Sequence, residues 1–205
     1  MWLDHWVAVF LVSLIAWILL SGLDDLFVDL VFILRGRKPF PWPAEAELAG
    51  ARQRPIAILV PLWQEQDVIG QMLAHNLAVI RYSNYQFFVG VYPNDRHTVS
   101  AVSEAARADP RVQVAVCPHP GPTSKADCLN RAYHRMLEYE TRHGVHFDIV
   151  VTHDAEDLIH PESLRLINWF SSITTPDSVH SIVLIMTSSV KGKVYRSRPI
   201  EFKLW

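Results

Sequence analysis

Pro55-Ile56-Ala57-Ile58-Leu59-Val60-Pro61-Leu62-Trp63-Gln64-Glu65 opens the part of the chain whose pattern decides the fold. Residues 56–62 are a short apolar run bounded by prolines, the pattern of a strand buried on both faces of a parallel sheet. Over residues 67–80, Val68, Ile69, Met72, Leu73, Leu77 and Ile80 recur at helical spacing. A strand feeding a helix is therefore the unit, and it recurs. Residues 87–92, 112–116 and 147–152 read as strands, residues 98–108, 125–141 and 161–170 as helices, and residues 182–186 as one further strand. This alternation predicts a layered α/β fold, Rossmann-like, with right-handed crossovers and a mostly parallel sheet.

The 205 residues suffice for one such core and an appendage. With 50% hydrophobic and 20% charged residues, the composition is that of a folded chain and not of a disordered one. The formal net charge of -2, without a dense Lys/Arg run, excludes nucleic acid as the main partner, because gripping a phosphate backbone takes a basic footprint. Cys117 and Cys128 form neither a C-x-x-C pair nor a zinc spacing and read as small reduced thiols.

The amino end is different in character. Residues 6–23 are apolar apart from Ser13, Ser21 and Gly22, and about 18 such residues in helical form reach about 27 Å, close to the hydrocarbon thickness of a bilayer. The front carries Asp4 and His5 in place of Lys or Arg, and no small-x-small site comes after the apolar run, which favours an uncleaved anchor over a signal peptide. Residues 23–34 mix Asp24, Asp25 and Asp29 with apolar side chains and read as an interfacial helix, part of a second span, or a continuation of the first helix. Arg35, Arg37 and Lys38 then place the chain beyond residue 35 in the cytoplasm by the positive-inside tendency. Pro39, Pro41 and Pro43 cannot continue a helix. The expected division is an anchor over 1–38, a linker over 39–54, a core over 55–175 and an atypical basic tail over 176–205.

Open parallel sheets bind ligands beyond the carboxyl ends of their strands. Four such places are polar here: Gln64-Glu65, Asn94-Asp95, Ser124-Lys125 and His153-Asp154-Ala155-Glu156-Asp157. A lone acidic loop residue is ordinarily just solvated; recurrence along one edge is what points to a site. Three carboxylates within four residues repel one another unless a cation or proton intervenes, and such hard oxygen donors suit Mg2+ or Mn2+ shared with phosphate oxygens. A metal there would offset the charge of a departing diphosphate. His153 and His160 flank the carboxylates as candidate extra ligands but lack ligand spacing, and Trp63, which could stack on a base or sugar, closes a buried strand, where an aromatic is more often packing. No G-x-G-x-x-G turn, P-loop, G-x-S-x-G elbow or H-E-x-x-H is present, which argues against the corresponding enzyme classes.

Over residues 55–170 the ordered set of pieces resembles the family 2 glycosyltransferases with the GT-A fold. Pro61-Leu62-Trp63-Gln64-Glu65 is similar to the P-x-x-N-E opening, with Gln64 where the family usually has Asn. Tyr92-Pro93-Asn94-Asp95 stands where the family has an Asp-rich, uracil-contacting turn, though it departs from D-D-G-S. Ser124-Lys125-Ala126-Asp127-Cys128-Leu129-Asn130 is similar to G-K-x-x-A-L-N, and Asp154-Ala155-Glu156-Asp157 to the D-x-D motif. The resemblance implies nucleotide-binding roles for Pro61, Glu65, Asn94, Asp95, Lys125 and Asp154, and a Mg2+ or Mn2+ site at Asp154 and Glu156. It further implies a nucleotide-diphospho-sugar donor, a UDP-sugar, used for polysaccharide or cell-envelope glycan synthesis. With the anchor, Leu23-Asp24-Asp25-Leu26-Phe27 and Val91-Tyr92-Pro93-Asn94-Asp95, the chain resembles the inner-membrane bacteriophage adsorption protein B group. That likeness implies a bacterial inner-membrane location, a cytoplasmic core and an outer-membrane or export partner protein.

Family 2 enzymes take a general base from a T-E-D segment, and processive ones carry Q-x-x-R-W; neither occurs between Asp157 and Trp205. Glu162 begins a helix, where an acid is expected for dipole reasons, and Glu201 lies in the basic tail. The expectation is thus a chain truncated or altered after about residue 175, able to bind a donor but inactive alone for want of a base and an acceptor half. The alternative is a non-catalytic inner-membrane scaffold, or a phage-adsorption or export component, that retains the nucleotide-binding core. A soluble nucleotidyltransferase is disfavoured by the anchor and by the order of the motifs.

Overall fold

A computed structural model describes residues 2–34, 42–174, 182–185 and 193–196. They belong to two units, Met1–Pro43 and Ala44–Trp205. The first is one unbroken helix, α1 (Trp2–Leu34), so residues 23–34 continue it and form neither a second span nor a separate interfacial helix. Its 33 residues extend about 50 Å, more than a bilayer's hydrocarbon core requires. The stretch Asp4–Leu34 is long and apolar enough to cross a membrane. The Ser13 hydroxyl donates to the Val9 carbonyl at 2.9 Å, which satisfies a polar group inside the apolar segment. Arg35, Arg37 and Lys38, and the linker residues 39–41, lie outside the described residues.

The second unit begins with a short helix, α2 (Glu45–Gly50), inside the stretch expected as linker. Residues 52–54 are clipped to the core by Asn168, whose side-chain oxygen accepts from the Arg54 amide at 3.2 Å and whose amide donates to the Arg52 carbonyl at 3.0 Å.

The elements then alternate as β1 (Ile56–Pro61), α3 (Gln66–Val79), β2 (Tyr85–Val91), α4 (Arg96–Ala108), β3 (Val112–Val116), α5 (Lys125–His143), β4 (Ile149–Thr152), α6 (Ser163–Thr174), β5 (Ile182–Ile185) and β6 (Lys193–Arg196). One sheet collects the strands in the order β3-β2-β1-β4-β5-β6, with every pairing parallel except that of β5 with β6. The continuous apolar run of β1 has a plain cause. Ile56, Ile58 and Val60 point into the core shared with Ile69, Met72 and Leu73 of α3 and Val102 of α4, while Ala57 and Leu59 pack on Leu129, Ala132 and Met136 of α5. Helices cover both faces, so residues 56–60 are all buried and only Pro61, at the cleft, is partly exposed.

The sheet does not stop at residue 175, where the patterning placed the end of the core. β5 adds in parallel beside β4, Ile182 opposite Ile149, and β6 folds back on it. The chain leaves β1 toward β2 and β3 on one side and returns to place β4 on the other. The crevice between the carboxyl ends of β1 and β4 is therefore the topological switch point, where such sheets bind ligands.

Candidate functional site

At that point lies an open cleft of about 370 Å3, within the range of small-molecule sites. Pro61, Leu62, Trp63 and Glu65 line it from the end of β1, and Asp154, Ala155 and Glu156 from the end of β4. Tyr92 after β2, and Pro122 to Lys125 with Cys128, supply the opposite wall. Of the residues expected from the sequence, Pro61, Glu65, Lys125, Asp154 and Glu156 are brought together here. Asn94 and Asp95 are not in the lining; both are engaged in holding it.

The exit from β1 turns sharply because Gln64 adopts a left-handed backbone, φ 58°, a region that side chains other than Gly, Asn and Asp seldom enter. Two side chains hold the turn open. The Gln64 amide donates to Asp95 Oδ2 at 2.6 Å, and the Glu65 amide to Thr98 Oγ1 at 3.1 Å. Asp95 also caps α4, accepting from the Thr98 amide at 3.4 Å. Glu65 stands at the N-cap of α3 without capping it, which leaves its carboxylate to the cleft. Partial burial, and then the charges of Glu156, Asp154 and Asp95, push its pKa above the ordinary glutamate value.

The opposite wall is built on α5. Ser124 caps the helix through the Asp127 amide at 3.1 Å, and Lys125 is its first residue. A cation in a first turn opposes the helix dipole, yet this one has a partner, for its ammonium pairs with Asp154. Ammonium and helix N-terminus together make this side of the cleft attractive to anions. Asn94 fastens the preceding loop, donating to the Gly121 carbonyl at 2.6 Å and accepting from the Gly121 amide at 2.8 Å. The Tyr92 hydroxyl meets Thr123 Oγ1 at 2.9 Å and the Ser124 carbonyl at 3.2 Å. Beneath Tyr92 and Trp63 lie Cys117 and Cys128, both buried and free. Hydrogen bonding between the two thiols lowers the pKa of Cys117, and the same bond together with burial raises that of Cys128.

After β4 the chain makes a tight turn in which the Asp157 amide donates to the Asp154 carbonyl at 3.2 Å. His153 is buried, with Nδ1 at 3.1 Å from Asp157 Oδ2. A carboxylate only accepts, so Nδ1 carries the proton and Nε2 the lone pair; Nε2 is buried without a hydrogen-bond partner. Burial holds the His153 pKa below the usual value, against the opposing pull of Asp157. Sequence reading missed two residues that shape this region, Thr98 and Asn76. Asn76 was detectable in principle, as a polar side chain on the buried stripe Ile69, Met72, Leu73 of α3.

Among the described residues no three His, Cys, Asp or Glu side chains form a ready-made metal cage. The donor set nonetheless fits a hard cation, since Glu65, Asp154 and Glu156 present only carboxylate oxygens to one cleft. Magnesium is characteristically held by one or two carboxylates, with phosphate and water completing its shell.

Residues 53–191 match the family model described as Glycosyltransferase like family 2. Two curated proteins, Bacteriophage adsorption protein B of Escherichia coli (strain K12) and Bacteriophage N4 adsorption protein B of Escherichia coli O157:H7, are each 39% identical over 175 residues. The match covers 82% of this chain and 23% of each relative, so the chain spans less than a quarter of their length. No solved structure gives a significant match. The family match over residues 53–191, which contain the switch-point cleft, and the 39% identity over 82% of the chain show that the chain belongs to glycosyltransferase family 2.

Proposed function

We propose that this chain carries the donor-binding site of a membrane-anchored glycosyltransferase that takes a nucleotide-diphospho-sugar, a UDP-sugar, with Mg2+ or Mn2+, for polysaccharide or cell-envelope glycan synthesis. The observation that carries this reading is the pairing of Lys125, a cation at a helix N-terminus, with Asp154 across the switch-point cleft that Glu65 and Glu156 also line. A diphosphate needs positive partners, which Lys125 and the α5 terminus supply. Carboxylates tolerate a diphosphate beside them only with a cation between, and Asp154 and Glu156 would hold it. Such an ion, when bound, neutralises charge on the departing diphosphate. Lys125 would then exchange its carboxylate partner for a phosphate oxygen. Glu65 would accept from sugar or ribose hydroxyls, while Trp63 and Tyr92, packed edge to face at 5.6 Å, offer an apolar wall to a ring.

By the same reading α1 sits in a bacterial inner membrane with the core in the cytoplasm. The names of the relatives connect those proteins to bacteriophage adsorption, which supports an envelope setting and a partner protein in it. Transfer to an acceptor is proposed only for the whole protein, since the chain spans less than a quarter of its curated relatives. The test is calorimetric titration of the detergent-solubilised chain with UDP-glucose and UDP-N-acetylglucosamine, with and without Mn2+. Binding should require the metal, and Asp154→Ala and Glu156→Ala should each weaken it by about 10-fold or more. Absent binding of both sugars, or binding indifferent to both substitutions, overturns the reading.

A further inference from the structure

We propose that Asp157, the third carboxylate of Asp154-Ala155-Glu156-Asp157, is a positioning residue that braces the turn presenting Asp154 and Glu156, and is not itself a metal ligand. The inference rests on the donor-site reading above. Its ground is where the Asp157 oxygens go. Oδ2 accepts from the Asp154 amide at 2.9 Å and from His153 Nδ1 at 3.1 Å. Two donors occupy the lone pairs of that one oxygen. The Asp157 side chain is 12% exposed, against 26% for Asp154, and Asp157 is absent from the cleft lining that contains Asp154 and Glu156.

The backbone of Asp157 is held as firmly as its side chain. Its amide closes the turn onto the Asp154 carbonyl at 3.2 Å. Its carbonyl accepts from the Asn76 side-chain amide at 3.0 Å, and Asn76 Oδ1 in turn accepts from the Ile159 amide at 2.9 Å. Asn76 is fully buried, so this anchor is fixed to the body of α3. The turn is thus bracketed, with Asn76 tying it to the core and Asp157 tying the Asp154 amide and the His153 ring to the turn. Removing the Asp157 carboxylate would leave the buried Nδ1–H of His153 and the Asp154 amide without their acceptor. Neither Asp154 nor Glu156 would then be held in register with Lys125 and Glu65. The carboxylate repulsion that the sequence suggests is relieved in part because one of the three acids faces amide and imidazole donors, away from the other two.

Because both bonds fall on a single oxygen, the two roles predict different behaviour for an isosteric substitution. In Asp157→Asn, the amide oxygen can accept both bonds while the negative charge is lost. The full chain is compared as wild type, Asp157→Asn, Asp157→Ala and Glu156→Gln, by Mn2+-dependent UDP-sugar calorimetry and by hydrogen exchange of the Asp154 amide. A positioning role predicts that Asp157→Asn binds close to wild type, whereas Asp157→Ala loses about 10- to 100-fold, as removal of an outer-shell partner does. The Asp154 amide should exchange faster in Asp157→Ala only, and Glu156→Gln should lose metal-dependent binding with that amide still protected. If Asp157→Asn loses Mn2+ dependence as severely as Glu156→Gln, Asp157 is a ligand and the proposal fails. If wild type binds no UDP-sugar the donor reading falls by itself, and the exchange still decides: equal Asp154 exchange in wild type and Asp157→Ala overturns the bracing.

Discussion

Asn76 and Ile159 are joined across 83 residues of sequence by a 2.9 Å hydrogen bond from the Ile159 amide to the Asn76 side-chain oxygen, where both residues are buried. The same side chain donates to the Asp157 carbonyl at 3.0 Å. Asn76→Ala should therefore lower the unfolding free energy by about 2–4 kcal/mol, since two bonds vanish and each leaves a main-chain partner without its mate. Asn76→Asp should fare no better, because it keeps the acceptor, loses the donor and buries a charge. Urea unfolding of the three proteins decides the matter. A midpoint unchanged in Asn76→Ala would mean that the loop after β4 is held by something else.

Gly121 lies flat against the Tyr92 ring, with no space for a Cβ between them. Its amide and carbonyl are both taken by Asn94 at 2.8 and 2.6 Å, so the loop cannot simply back away. Gly121→Ala is expected to cost about 1–3 kcal/mol, the usual range for overpacking, and to shift the wall that carries Thr123 and Lys125. Tyr92→Leu should restore part of that loss in the double variant, because it removes the flat ring that the new methyl strikes. Additive losses in a double-mutant cycle would show that the two residues do not meet as described.

Much of this architecture is legible in the amino-acid pattern, and the reasons differ by element. The run Ile56 to Val60 marks a doubly covered strand because two different cores claim its alternate residues. The acids after β4 and Lys125 stand out because the ends of parallel strands are few and their polar residues recur. Asn94 and Asp95 are legible as polar residues at the right edge, but a side chain suited to gripping a ligand is equally suited to gripping a backbone. Here they hold Gly121 and Gln64. Cys117 and Cys128 have no telling spacing, since only the packing of α5 against β3 brings them together. The basic composition near Lys193–Arg196 reads as a tail, whereas the sheet uses that segment as its antiparallel edge, a position where charged residues are normal.

Asp109 and Arg111 make a testable acid response. Arg111 binds the Asp109 carboxylate at 2.6 Å and also donates to the Tyr85 hydroxyl at 2.7 Å, joining the end of α4 to the starts of β2 and β3. The hydrogen bonds from Arg111 hold the Asp109 pKa below its ordinary value. A folded-state pKa below the unfolded one gives stability that is fully present above the unfolded value, about 4, and lost as pH falls through the folded value. Wild type should accordingly exceed Asp109→Asn in stability at neutral pH, with the gap closing in acid below about pH 4. Denaturant midpoints of the two proteins across that range test this. A gap that stayed constant with pH would show that the ionised pair contributes nothing beyond packing.

Gln64 offers the sharpest test of how the site is shaped. Its φ of 58° is uncommon for a long side chain, whereas Asn enters that region several-fold more readily. An Asn at this position would suit the backbone geometry without any ligand contact. Gln64→Asn should stabilise the chain by about 0.5–1 kcal/mol, and Gln64→Val, whose branched Cβ suits this region least, should cost more than about 1 kcal/mol. The turn exists to bring the Glu65 amide to Thr98 and the Gln64 amide to Asp95, so relief of strain at fixed geometry should leave donor affinity alone. Stability rising in Gln64→Asn with unchanged UDP-sugar binding would mark the Gln64 side chain as dispensable to the ligand. Stability unchanged but binding altered would instead make that side chain a contact.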